Sequence, residues 1–69
     1  MPDNNMFKLT KRELEIAELI IKGYTNKQIA ELTNISIYTV KTHISNIFCK
    51  LNAKNRANAA FLLLQHLKF

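Results

Sequence analysis

The stretch Ser36 to Leu51 reads SIYTVKTHISNIFCKL, and its periodicity decides the fold. Stepped at about 100° per residue, the pitch of an α-helix, Ile37, Val40, Ile44, Ile47, Phe48 and Leu51 fall within an arc of roughly 100°, the stripe of a helix laid on a core. Tyr38, Lys41, Thr42, Ser45 and Asn46 are assigned to the opposite side, with Thr39, His43 and Lys50 between. Ser36 is placed to cap the helix, its hydroxyl accepting from a first-turn amide. No acid occurs in the stretch. One flank is apolar. The other carries hydrogen-bond donors and two lysines without a repelling carboxylate, which suits a helix lying in a groove walled by phosphates.

The charge of the whole chain points the same way. The formal net charge is +5 over 69 residues, unevenly spread. In residues 1–31, Lys8, Lys11, Arg12, Lys22 and Lys27 balance Asp3, Glu13, Glu15, Glu18 and Glu31. In residues 32–69, Lys41, Lys50, Lys54, Arg56 and Lys68 face no acid at all. A one-sided positive field is the footprint of a polyanion-binding surface, although a charge bias alone also serves solubility.

The chain is one domain, and at this size only about 60% of the extended surface is buried on folding. Cys49 is the single cysteine, so no internal disulfide and no cysteine metal cluster can form. The N-terminus, MPDNNMFK, lacks the apolar run of a signal peptide, and the apolar run at 59–64 is too short to cross a bilayer. A cytoplasmic protein is expected. No cofactor, metal, membrane or small-molecule ligand is implied.

Outward from the central helix, every segment has a helical period and none the alternation of a half-buried strand. Residues 1–8 are read as a frayed tail and 9–69 as the domain. Thr10-Lys11-Arg12-Glu13 is a capping box, and Leu9 can staple against Leu14. The first helix then spans 10–22, with Ile16, Leu19 and Ile20 inward, and Gly23 can take the left-handed conformation that ends it. Thr25-Asn26-Lys27-Gln28 is a second capping box, opening a short helix over 26–33 with Ile29 and Ala30 inward. Asn34-Ile35 turns the chain into the helix at 36–51, which Asn52 closes. Asn55 caps a last helix over 56–67. The expected fold is all-α, a four-helix bundle containing a helix-turn-helix, with its second helix crossing the phosphate backbone and its third in the major groove.

The segments LTKRELEI (9–16), GYTNKQIAE (23–31), ISIYTVKTHISNIFCKL (35–51) and KNRANAA (54–60) resemble the LuxR-type, or GerE-like, DNA-binding domain of bacterial transcription regulators. The resemblance covers about Leu9 to Leu67. Region 4 of sigma factors shares parts of the pattern but usually lacks the Thr-Val-Lys-x-His-x-x-Asn-Ile run at 39–47. Two positions depart from the family: Thr33, where Leu is usual, and Ala17, where a larger apolar residue is common. Neither lies on the face assigned to DNA.

The resemblance implies a sequence-specific, double-stranded-DNA-binding transcription regulator. Base reading falls to the residues matching Lys41, Thr42 and Ser45. Lys41 suits guanine O6 or N7, and Thr42 offers a hydroxyl to a base or a methyl to thymine. Ser45 is short, so Asn46 or a bridging water can serve in its place. Asn26 and Lys27 begin the second helix, where free amides and the positive helix end favour phosphate. Tyr38, Thr39, His43 and Lys50 match further backbone contacts, which set register.

Apolar residues surround the last helix almost completely, leaving a strip beyond what one core can cover. The family uses this helix for symmetric dimerisation, which here places Phe61, Leu62, Gln65 and His66 at the interface. A dimer would hold two copies of the third helix about one DNA turn apart, on an inverted repeat. The alternative is a protein-interaction module that binds RNA polymerase or another regulator through the last helix.

The plainer readings stand beside these. His43 as a catalytic base lacks a nucleophile and an orienting group, and no enzyme is expected. His66 suits a helix C-terminus. Cys49 is read as an inert small residue. Glu13, Glu15 and Glu18 are explained by capping and a solvated face. Arg56 either contacts DNA or fixes the start of the last helix. The opening Met and four helices that account for the chain favour a small free-standing regulator over a fragment.

Overall fold

The computed structural model describes residues 7–67, with backbone alone for 66 and 67. Four helices follow in order: α1 (Lys11–Ile21), α2 (Asn26–Thr33), α3 (Ile37–Leu51) and α4 (Arg56–Leu67). No strand occurs among the described residues, so the fold is all-α, as the periodicity requires.

Local chemistry starts each helix. Thr10 Oγ1 accepts from the Glu13 amide at 3.1 Å, and Glu13 Oε1 accepts from the Thr10 amide at 2.9 Å. Thr25 and Gln28 repeat the arrangement at 3.1 and 2.9 Å. Ser36 Oγ accepts from the Thr39 amide at 3.0 Å, and Asn55 Oδ1 from the Asn58 amide at 2.8 Å. Each bond satisfies an amide that the helix itself leaves without a partner.

Three helices end alike, on a left-handed residue followed by an amide that bonds back five residues. Gly23 (φ 89°) lets Tyr24 donate to the Leu19 carbonyl; Asn34 (φ 59°) lets Ile35 donate to Ala30; Asn52 (φ 56°) lets Ala53 donate to Phe48. Glycine and asparagine tolerate this conformation best, which is why they occupy these ends. The Asn34 closure leaves only Ile35 and Ser36 before α3, so α2 and α3 form a tight helix-turn-helix.

α3 packs on all three other helices, and α1 also packs on α4. The core joins Leu9, Ile16, Ala17, Ile20, Ile29, Val40, Ile44, Ile47, Leu51, Ala59 and Leu63. Leu14 is half-buried and packs against this core. Leu19, Ala30 and Phe48 are only half-buried. Ala17 is fully enclosed, so its small side chain brings α1 close to its neighbours. Half-buried Thr33 is satisfied by donating its hydroxyl to the Ile29 carbonyl at 2.6 Å.

One expectation is corrected. Ile37 is not part of the buried stripe; it is 44% exposed in the first turn of α3, while half-buried Ile35 in the preceding turn packs on the core. Of the tail expected over 1–8, only residues 7 and 8 are described. Phe7 is half-buried against the core, and Lys8 takes a defined left-handed conformation (φ 57°). The rest of that tail, residues 1–6, lies outside the described residues.

Candidate nucleic-acid interface

The outward surface of α3 carries Ile37, Tyr38, Lys41, Thr42, Ser45, Asn46 and Cys49, all exposed. Helical spacing sets Ile37, Lys41 and Ser45 on one ridge and Tyr38 and Thr42 on the next. The exposed Thr42 donates its hydroxyl proton to the Tyr38 carbonyl at 3.2 Å, which leaves its oxygen able to accept. Ser36 donates to Thr39 Oγ1 at 2.9 Å, so the Thr39 hydroxyl keeps its own proton for an outside acceptor. His43 is half-buried. The four residues expected to read bases therefore share one exposed face, with Tyr38 beside them. No acid stands on α3.

Exposed Lys27 lies at the start of α2, where the Asn26 and Lys27 amides precede the first helical hydrogen bond. Half-buried Asn26 is held from α4. Arg56 Nη1 donates to Asn26 Oδ1 at 2.6 Å, and Nη2 donates to the Tyr24 carbonyl at 2.6 Å. Arg56 thus ties the opening turn of α4 to the opening turn of α2, the structural one of its two readings. Since its guanidinium only donates, Asn26 must turn Oδ1 inward and keep its amide donors on the other side.

Lys50 does not stand free. Its Nζ donates to Glu13 Oε1 at 2.7 Å and lies 3.5 Å from the Lys8 carbonyl. Glu13 is 3% exposed and fills the capping role, while Glu15 is exposed and Glu18 half-buried. Burial pushes the Glu13 carboxyl upward. The bond from Lys50, the Thr10 amide and the Lys50 charge together outweigh it and leave the group below its ordinary value. Glu15 and Glu18 form surface pairs with Arg12 (3.5 Å) and Lys22 (3.1 Å).

On α4, Phe61 is 60% and Leu64 53% exposed, while Ala59 and Leu63 close the core. Gln65 is exposed and Leu62 half-buried; the His66 side chain lies outside what is described. A shallow groove between α1 and α2 is bordered by the paired acids Glu15 and Glu18 and by Leu32 and Thr33. Among the described residues, no three His, Cys, Asp or Glu side chains converge as metal ligands, and no helix is long and apolar enough to cross a membrane.

Sequence spacing misses three of these features. Glu13–Lys50 and Arg56–Asn26 join residues 37 and 30 apart in the chain, and no local pattern signals such pairs. Ile37 is exposed and Ile35 packs on the core, a division that periodicity within α3 alone does not contain.

A tight α2–turn–α3 unit with an exposed, acid-free second helix defines a helix-turn-helix domain. Comparison with known proteins makes the class specific. The family described as bacterial regulatory proteins, luxR family, matches residues 8–63, and the chain belongs to it. Response regulator protein VraR of Staphylococcus aureus is 52% identical over 58 residues, covering 84% of this chain and 28% of that protein. VraR of Staphylococcus saprophyticus and of Staphylococcus epidermidis match to the same extent, 52% over 58 residues. The chain thus spans 28% of the length of these curated relatives. Fold and family together make it a helix-turn-helix domain of the DNA-binding transcription-regulator type.

Proposed function

We propose that the domain binds double-stranded DNA with α3 in the major groove, Lys41, Thr42 and Ser45 or Asn46 at base edges. A helix of about 10–12 Å diameter fits a groove about 12 Å wide. The observation that carries this reading is the continuous exposed, acid-free face of α3. Asn26 and Lys27 at the start of α2, with Tyr38, Thr39 and His43, supply backbone contacts that fix register. Lys50 joins them only by sharing or leaving its bond to Glu13. Two domains pair through α4, where Phe61, Leu62, Gln65 and His66 are the expected contacts, and occupy an inverted repeat.

Selection of binding sites from random DNA tests this reading. An inverted repeat should emerge, and affinity for it should fall steeply with salt, with a log–log slope near −0.9 per neutralised phosphate. Unchanged binding in the Lys41→Ala, Thr42→Ala double variant would remove the recognition-helix assignment. Binding of a protein partner without DNA affinity would favour an interaction module instead.

A further inference from the structure

We propose that Ile37 reads a base, its side chain resting on the C5-methyl group of a thymine beside the base pair contacted by Lys41. The inference rests on the groove reading above. Ile37 is apolar, 44% exposed, and lies in the first turn of α3. It precedes Lys41 by one helical turn, so the two side chains share a ridge. In helix-turn-helix complexes the N-terminal residues of the second helix meet the base edges. An isoleucine there has nothing to offer a phosphate or a polar base edge. The thymine methyl is the one apolar group that the four standard bases present in the major groove. Neighbouring Tyr38 is more exposed, at 78%, and carries a hydroxyl tip, which suits the sugar–phosphate wall. Ile35 packs on the core from the preceding turn and Ile37 does not, so core packing does not account for Ile37.

Deoxyuridine tests the proposal, because it differs from thymidine only by that methyl. In a site selected by the unmodified protein, each thymidine is replaced in turn. One position per half-site should weaken binding about threefold to fivefold, the effect of one buried methyl group. Ile37→Ala should bind the parent site correspondingly weaker and show no further loss at that position, with the salt dependence and helical signal unchanged. A methyl effect that persists in Ile37→Ala, or no thymidine at which the methyl matters, overturns the assignment of Ile37 while leaving the groove reading in place. Absence of any sequence-preferring, salt-sensitive DNA binding overturns both.

Discussion

Glu13 and Lys50, 37 residues apart in the chain, meet at 2.7 Å and lock the first turn of α1 to the last turn of α3. Glu13 serves two elements at once, because the same Oε1 also accepts from the Thr10 amide that opens α1. The packing of α3 against α1 is therefore held partly by one buried carboxylate.

The two partners should fail differently. Glu13→Gln keeps an acceptor for the Thr10 amide and leaves Lys50, whose side chain is 35% exposed, free to turn to water. It should cost about 1–2 kcal/mol, the loss of one charged hydrogen bond. Lys50→Met strands a carboxylate that is only 5% exposed. It should cost more, about 2–4 kcal/mol, because an unpaired buried charge is worse than a lost bond. Denaturant titration of both variants settles the order, and equal losses would mean that burial of Glu13 carries little weight.

The same pair sets an acid limit. Folding holds the Glu13 carboxyl below its ordinary value of 4.5. The unfolded chain therefore takes up this proton first as pH falls, and the group contributes stability above about pH 4.5 that is lost progressively below it. Melting temperature followed from pH 7 downward should drop in that window, and Glu13→Gln should flatten part of the drop. A parallel curve for the variant would assign the acid sensitivity to other carboxylates.

Gly23 isolates backbone strain from packing. Its φ is 89°, yet a methyl group added there would meet nothing within 4 Å. Gly23→Ala should cost about 1–2 kcal/mol, the penalty of a left-handed L-residue, with no accompanying clash. Asn52→Gly should be close to neutral, since asparagine already tolerates that conformation at α3's end. Equilibrium unfolding distinguishes the two; an unaffected Gly23→Ala would show that the α1 terminus can close another way.

What was legible in the sequence was what chain neighbours decide. A cap needs a hydroxyl or carboxamide and an amide three residues on, so Thr10, Thr25, Ser36 and Asn55 announce themselves. Gly23 and Asn52 do so through conformational tolerance, and the polar flank of α3 through helical period. Contacts between elements were not legible, because they depend on which helices cross where. Neither the bond from Lys50 to Glu13 nor those from Arg56 to Asn26 and Tyr24 has a signature in the local sequence. Ile37 shows the same limit within a helix. Its period says inward, but the residue that packs on the core is Ile35, in the turn before the helix.

Lysines on different elements should separate charge from readout. Lys41→Ala should relax preference at one base position and cost about 1–3 kcal/mol. Lys27→Ala should weaken all sequences alike and reduce the salt slope by about 1. Lys50, already neutralised by Glu13, should contribute less to that slope than Lys27. Titrations of selected and scrambled duplexes across a salt series measure all three. A uniform loss in Lys41→Ala would demote Lys41 to a backbone contact.

The exposed side of α4 can be tested without disturbing the core beneath it. Phe61 and Leu64 are 60% and 53% exposed, so replacing either by serine should change monomer stability by no more than about 0.5 kcal/mol. Leu63 is fully buried one position away, and Leu63→Ala should cost about 2–5 kcal/mol, enough to endanger so small a domain. If α4 joins two domains on an inverted repeat, Phe61→Ser should abolish cooperative occupancy of the two half-sites yet leave affinity for an isolated half-site intact. Sedimentation on and off DNA, with binding curves on full and half sites, reads both quantities. Cooperative binding that survives in Phe61→Ser and in Leu64→Ser would move the contact between protomers off this face.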